Sequence, residues 1–179
     1  MKSIVSISIV LSFLILSSLN LNAQQKSVAV DSLIVAAVKK DVWIPFMESY
    51  RDLDFKKLES IHSPNITRVG INMNQIETGS DYLKNLNAFF EQIKGLNYEM
   101  EIKFSIISSA TTKDKVYQTG YYTIGLRADE SSPFQSTGYS SFSVMSTKEN
   151  GTWKISFDAD QQVKITKEEF EKAGVIYKL

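Results

Sequence analysis

The chain has 179 residues, 20 basic against 20 acidic side chains, a single histidine and no cysteine. A balanced charge with no basic cluster argues against nucleic acid, whose binding depends on neutralising phosphates. The missing cysteines exclude disulfides, thiolate nucleophiles and cysteine-ligated metals, and a lone histidine is a poor basis for a transition-metal site, so no metal and no cofactor is expected.

The N-terminus reads as an export signal. Lys2 supplies a positive end, Ile4 to Leu16 is apolar apart from small serines, and Leu21-Asn22-Ala23 before Gln24 resembles a signal-peptidase site. An apolar run of about 13 to 16 residues is shorter than the roughly 20 that a spanning helix needs. Cleavage after Ala23 is therefore expected, giving a periplasmic or secreted product with no stable membrane anchor. No cysteine follows the apolar run to carry lipid. Residues 24–40 read as an N-terminal helical segment or linker, 41–160 as one domain, and 161–179 as a short C-terminal helix and tail.

Ile34, Val38, Val42, Phe46 and Tyr50 recur every four residues, an amphipathic stripe over residues 31–52. Pro45 interrupts it, so either the helix kinks or a second helix opens there, because proline lacks the internal amide donor. Asp54 is placed to cap a short helix carrying Phe55, Leu58 and Ile61, which Ser63-Pro64 would end. His62 follows that helix and reads as a cap at its C-terminus, favoured by the dipole. Residues 65–76 suit a small hairpin. Thr78 and Asp81 open a helix with a stripe of Tyr82, Leu83, Leu86, Phe89, Phe90 and Ile93, and Gly95 is the expected stop.

From Leu96 the hydrophobic period changes from about 3.6 to 2. Tyr98, Met100, Ile102, Phe104 and Ile106 alternate with polar residues, and after a turn near Thr111 to Asp114 the next strand puts Val116, Gln118, Gly120, Tyr122, Ile124 and Leu126 on one face. Ala128 to Ser136, with Pro133, reads as a long loop. Asn150-Gly151 between two alternating runs is the strongest short hairpin signal, because both central residues of a type I′ turn need positive φ. Counting outward from it sets Val144 opposite Phe157, Phe142 opposite Ala159 and Ser143 opposite Asp158. Phe157 and Ala159 would then face the core beside Trp153, while Asp158 and Asp160 would lie on a solvated edge, with acid chemistry or a weak calcium contact as the alternative. Thr166 to Glu169 forms a capping box for a last short helix that Gly174 ends.

The chain at this point resembles the nuclear transport factor 2-like superfamily and, within it, the SnoaL-like small domains. The resemblance covers residues 41–160. It rests on Phe46, Tyr50, Asp54 and Leu58 leading into Asn65-Ile66-Thr67-Arg68-Val69-Gly70, on Thr78-Gly79-Ser80, on Val116 to Thr123, and on Gly151-Thr152-Trp153-Lys154-Ile155 followed by Asp158. It implies an α+β cone-shaped half-barrel, a strongly bent antiparallel sheet wrapped around N-terminal helices, with a pocket at the open end. Members include isomerases, epoxide hydrolases and polyketide cyclases, and many that only bind or dimerise, so the fold does not settle the function.

Related domains often carry polar or histidine side chains on the concave face of the last strand, where Phe157 and Ala159 stand here, which implies a greasier cavity without a histidine site. The expected ligand-binding set is Tyr50, Gln118 and Tyr122 beside Phe142 and Phe157, suited to a small apolar or amphipathic molecule. The competing readings are an isomerase or cyclase in which Tyr50 or Tyr122 donates to a developing oxyanion, and a purely structural homodimer. Arg68 would reach a pocket anion or pair with a surface acid. Tyr117, Tyr121, Tyr139 and Met145 on the outer sheet face are an aromatic set suited to a homodimer contact or another protein partner.

Overall fold

The computed structural model describes residues 30–179; the export segment read at residues 1–23 lies outside the described residues. Helix α1 (Ser32–Val38) opens at Asp31, whose carboxylate accepts from the N–H groups of Leu33 and Ile34. A π-helical turn, Lys39–Trp43, follows without a break and runs into α2 (Ile44–Asp52). Pro45 thus stands inside a continuous helical run, directly after the wider π turn, which accommodates the ring and the missing donor that a regular helix would not. Asp54 caps α3 (Phe55–Ser60) through the Lys57 N–H at 3.0 Å.

Strand β1 (His62–Gly70) and β2 (Gln75–Thr78) form the small hairpin, which begins earlier, at His62, than its composition indicates. Helix α4 (Gly79–Gly95) has Gly95 as its last helical residue, and the left-handed position falls two residues on, at Asn97, with φ of 54°. The long strands are β3 (Glu99–Thr111), β4 (Lys115–Arg127), β6 (Tyr139–Glu149) and β7 (Thr152–Val163), and the two-residue β5 (Gln135–Ser136) pairs with β4 inside the loop after it. The capping box of Thr166 and Glu169 opens α5 (Lys167–Ala173), and β8 (Val175–Tyr177), absent from the reading above, adds to the edge of β3.

The sheet runs β2-β1-β7-β6-β4-β3-β8. It is mixed and mostly antiparallel: β1 lies parallel to β7, a long-range pairing that no local pattern announces. Helices α1 to α4 fill its concave side. Val42, Trp43, Met47, Leu58, Ile66, Phe90, Met100 and Ile155 are buried together there. Gly120 permits the closest approach on this face, since a Cβ would collide with the Ser105 carbonyl and lie 2.9 Å from the Phe142 ring.

The turn at Asn150-Gly151 forms as read, with φ of 50° and 88° and Glu149 opposite Thr152. The register beyond it differs. A β-bulge on β7 leaves Ser156 without an opposite residue, so Val144 faces Asp158, Phe142 faces Asp160 and Ser143 faces Ala159. The bulge is held by side-chain chemistry: the Ser156 hydroxyl donates to the Met145 carbonyl at 3.2 Å and shares a hydrogen bond with Thr147 at 2.8 Å. Because side chains alternate with a period of two, one extra residue exchanges the two faces of all that follows. Trp153 and Ile155 point inward as the turn requires. Phe157 and Ala159 do not. Asp158 and Asp160 take their place on the concave side, and Phe157 joins the outer row Tyr117, Met145, Phe157 across β4, β6 and β7.

This exchange has a measurable consequence. Trp153→Ala is expected to cost about 3–5 kcal/mol in denaturant unfolding, as a fully buried aromatic does, whereas Phe157→Ala on the half-buried outer face costs about 1–2 kcal/mol. Equal losses would place Phe157 back in the core.

Candidate functional site

A cavity of about 120 Å³ lies between the helices and the concave sheet. Its apolar wall comes from both layers: Trp43 and Phe46 from the helical side, Leu86 from α4, and Ile102, Phe104, Phe142 and Val144 from the sheet. The rings interlock. Trp43 sits 4.7 Å from Phe104 and 5.5 Å from Phe142, and Phe46 meets Phe104 edge to face at 5.3 Å. The polar lining is Tyr50, Arg68, Tyr82, Tyr122, Asp158 and Asp160.

Two of the polar residues face each other across neighbouring strands. Arg68 of β1 stands opposite Asp158 of β7, so both leave the sheet on the same side. The guanidinium lies 2.5 Å from Asp160 and 3.5 Å from Asp158, and Tyr122 donates its hydroxyl to Asp160 at 2.5 Å. All three charged side chains keep only 14–16% of their exposure. Burial opposes the charge on Arg68, and the two carboxylates more than restore it, so the guanidinium stays ionised.

Asp158 is the unusual member. Burial raises its carboxyl to about pKa 6; Arg68 pulls in the other direction, and Asp160 adds to the rise. The shorter guanidinium contact goes to Asp160, which is why Arg68 does not overcome the loss of water at Asp158. A carboxyl of this kind is populated in both forms near neutrality and can take up and return a proton. The tyrosines remain protonated: burial raises Tyr50, Tyr82 and Tyr122, with Asp158 the next cause for the first two and Asp160 for the third. Neither Tyr50 nor Tyr82 has a hydroxyl partner among the described residues, so both are free donors for a molecule in the cavity.

Of the five residues expected to bind a ligand, Tyr50, Tyr122 and Phe142 line the cavity. Gln118 is inward and buried but engaged at both ends: its carbonyl accepts from the Trp43 indole at 2.7 Å and its amide donates to Ser109 at 3.0 Å. It positions Trp43 and does not line the cavity. Phe157 lies on the opposite face for the reason given above. Asp158 and Asp160, read as a solvated edge, are the cavity's carboxylates, and Arg68 pairs with them and not with a surface acid. Tyr82 was legible only as one apolar position on the helical stripe.

His62 closes α3 as expected, with Nδ1 2.7 Å from the Leu58 carbonyl. It is fully buried between the rings of Phe46 and Tyr82, and its Nε2 has no partner. Burial, and more weakly Arg68, drive its pKa down to about 4, while the Leu58 contact opposes them, so the ring is neutral and not an imidazolium on the helix dipole. It does not line the cavity. No group of three or more His, Cys, Asp or Glu side chains suited to a metal ion occurs among the described residues.

The two shifted groups act oppositely on stability. Asp158 carries a raised folded pKa, so the folded state holds its proton more tightly, and stability falls as pH rises from about 4 to about 6. His62 has a depressed folded pKa, so its contribution is present above about 6.5 and is lost as pH falls toward 4. In the native chain the slopes nearly cancel. Asp158→Asn is expected to leave the histidine slope alone, so that its stability relative to the native chain grows by about 2–3 kcal/mol between pH 4 and pH 7 in denaturant melts. NMR of the single histidine checks the second half: no titration midpoint above pH 5.5 is expected, and one near the ordinary histidine value of about 6.5 would show that the ring is not desolvated.

No protein-family model and no curated protein sequence matches the chain. Solved structures do. Aln2 from a Streptomyces species superposes with a TM-score of 0.63 at 9% identity, covering 74% of this chain and 93% of that one. LinA gives 0.56 at 14% identity, covering 75% and 89%. A protein from Streptomyces avermitilis described as a putative dehydratase from the NTF2-like family gives 0.55 at 15% identity, covering 75% and 100%. With helices inside a curved, mostly antiparallel sheet and these neighbours at low identity, the chain has the nuclear transport factor 2-like fold.

Proposed function

We propose that the cavity binds a small, mainly apolar carbonyl compound and that Asp158 moves a proton on it, an acid–base reaction of the isomerase or dehydratase kind. The observation that carries this reading is the Asp158 carboxyl, raised to about 6 in an apolar chamber beside two unpartnered phenol hydroxyls. In this scheme the carboxylate takes a proton from the carbon next to the carbonyl. Tyr50 and Tyr82 donate to the carbonyl oxygen as negative charge collects there. Asp158 then returns the proton to a different carbon, which shifts a double bond. Where a hydroxyl leaves from the β-carbon, the same proton departs with it as water. One solved neighbour is described as a putative dehydratase, which fits the second outcome.

The test uses 3-cyclohexen-1-one, whose conversion to the conjugated ketone is visible by ultraviolet absorbance. The expected rate rises with pH through about 6, because the base is the ionised form. Asp158→Asn is expected to lower it about 10²–10⁴-fold and Tyr50→Phe by a smaller factor. Tight binding of the ketone with no conversion and no effect of Asp158→Asn would overturn the catalytic reading and leave the binding of a small apolar molecule.

We also infer that the outer row of Tyr117, Met145 and Phe157 joins two copies of the chain. The bulge makes this row more apolar than its sequence pattern indicates, while Tyr139 is taken up by Phe170 of α5, with ring centroids 5.3 Å apart. Light scattering at micromolar concentration is expected to give a dimer, and Met145→Lys a monomer. A native monomer would exclude the contact. Export through the segment at residues 1–23, with a periplasmic or secreted product, is part of the same proposal.

A further inference from the structure

The chamber is too small for more than one ring, yet it opens onto much more space. Two open concavities of about 520 and 620 Å³ lie outside it. They share Asn72, Tyr122, Ser140 and Gln162, and so form one vestibule. Arg68, Tyr122 and Asp160 line both the chamber and the vestibule, which makes that hydrogen-bonded trio the neck between them.

The two compartments differ in chemistry. Beside the rings of Phe89, Tyr122 and Tyr139, the vestibule carries four side-chain amides that the chamber lacks, those of Asn72, Gln75, Asn85 and Gln162. An amide offers two donors and an acceptor, the complement of a hydroxyl that both gives and takes a hydrogen bond. The vestibule's charges balance, Arg68 and Lys164 against Glu77 and Asp160, so no net field favours an ionic group. Two of the four amides are held in place. The Asn72 carbonyl accepts from the Gln162 backbone N–H at 2.6 Å, tying the turn after β1 to β7, and Asn85 donates to Glu77, tying α4 to β2. Groups already held in place lose little freedom when a ligand arrives.

We propose that the ligand has two parts: an apolar ring that fills the chamber, and an uncharged hydroxyl-bearing tail, a polyol or glycosyl group, that passes the neck and lies along the vestibule amides. The proposal rests on the chamber reading above and extends it to the class of molecule.

Three probes separate the parts by calorimetry. Phenol fits the chamber alone, phenyl β-glucoside adds an uncharged hydroxyl-bearing tail, and phenyl phosphate adds a charged one. The glucoside is expected to bind about tenfold more tightly than phenol, as one or two net hydrogen bonds allow, and the phosphate no more tightly than phenol. Gln162→Ala and Gln75→Ala, which break no internal side-chain hydrogen bond among the described residues, are expected to bring the glucoside back to the phenol value and leave phenol unchanged. If phenol binds and the glucoside gains nothing, or if the variants weaken both probes equally, the vestibule proposal fails while the chamber reading stands. If neither phenol nor the glucoside binds, both fall.

Discussion

The site depends on one guanidinium between two buried carboxylates. Arg68, Asp158 and Asp160 sit where a cone fold of this size would otherwise be packed with hydrocarbon, and each has lost most of its water. Such a cluster is weak evidence for stability, because desolvating three charges costs as much as their attraction returns. Its value is chemical. Asp160 takes the close contact and a hydroxyl from Tyr122, so it is the better-compensated carboxylate. Asp158 is left with a longer contact and an apolar surround, and its proton affinity rises into the range where a carboxyl can act as acid and base in turn.

The helical layer supplies the other half. The π turn at Lys39–Trp43 brings Val42 and Trp43 inward together ahead of Pro45. Within the same turn, the Asp41 carboxylate accepts from the Trp153 N–H at 3.2 Å, which joins helix to sheet at the start of β7. Gln118 then satisfies the Trp43 indole, so a large aromatic side chain is buried without an orphan donor. Irregular turns of this kind recur beside functional sites because they aim side chains that a regular helix would not. Phe46 stacks on Tyr50 at 5.3 Å and Tyr50 meets Phe90 at 5.1 Å, which fixes the phenol at the chamber wall.

His62 shows how a residue with obvious chemistry can serve structure. Its Nδ1 closes α3 and its ring fills the gap between Phe46 and Tyr82. The cost is an unpaired Nε2 and a base held neutral well below its usual pKa.

Local patterns carry much of this protein. The Asn150-Gly151 turn, the Asp54 cap, the capping box at Thr166 and the change of period after Leu96 each follow from chemistry within a few residues, and each appears in the fold. The order of helices and strands indicated helices covering a sheet, the resemblance over residues 41–160 implied the cone and its pocket, and Tyr50, Tyr122 and Phe142 fell on the inner face because helical and strand periodicity place them there. What the local pattern did not decide is which way Asp158 and Asp160 point. That rests on the bulge at Ser156, held by contacts to Met145 and Thr147 on another strand, and on the parallel pairing with β1 that brings Arg68 alongside. No glycine or proline marks the bulge. A period-two count therefore runs straight through it and exchanges the faces. The two carboxylates, their counter-ion Arg68 and the tyrosine that donates to Asp160 come from three strands separated by long stretches of chain, so only the tertiary structure, through one unpaired residue, assembles them into a site.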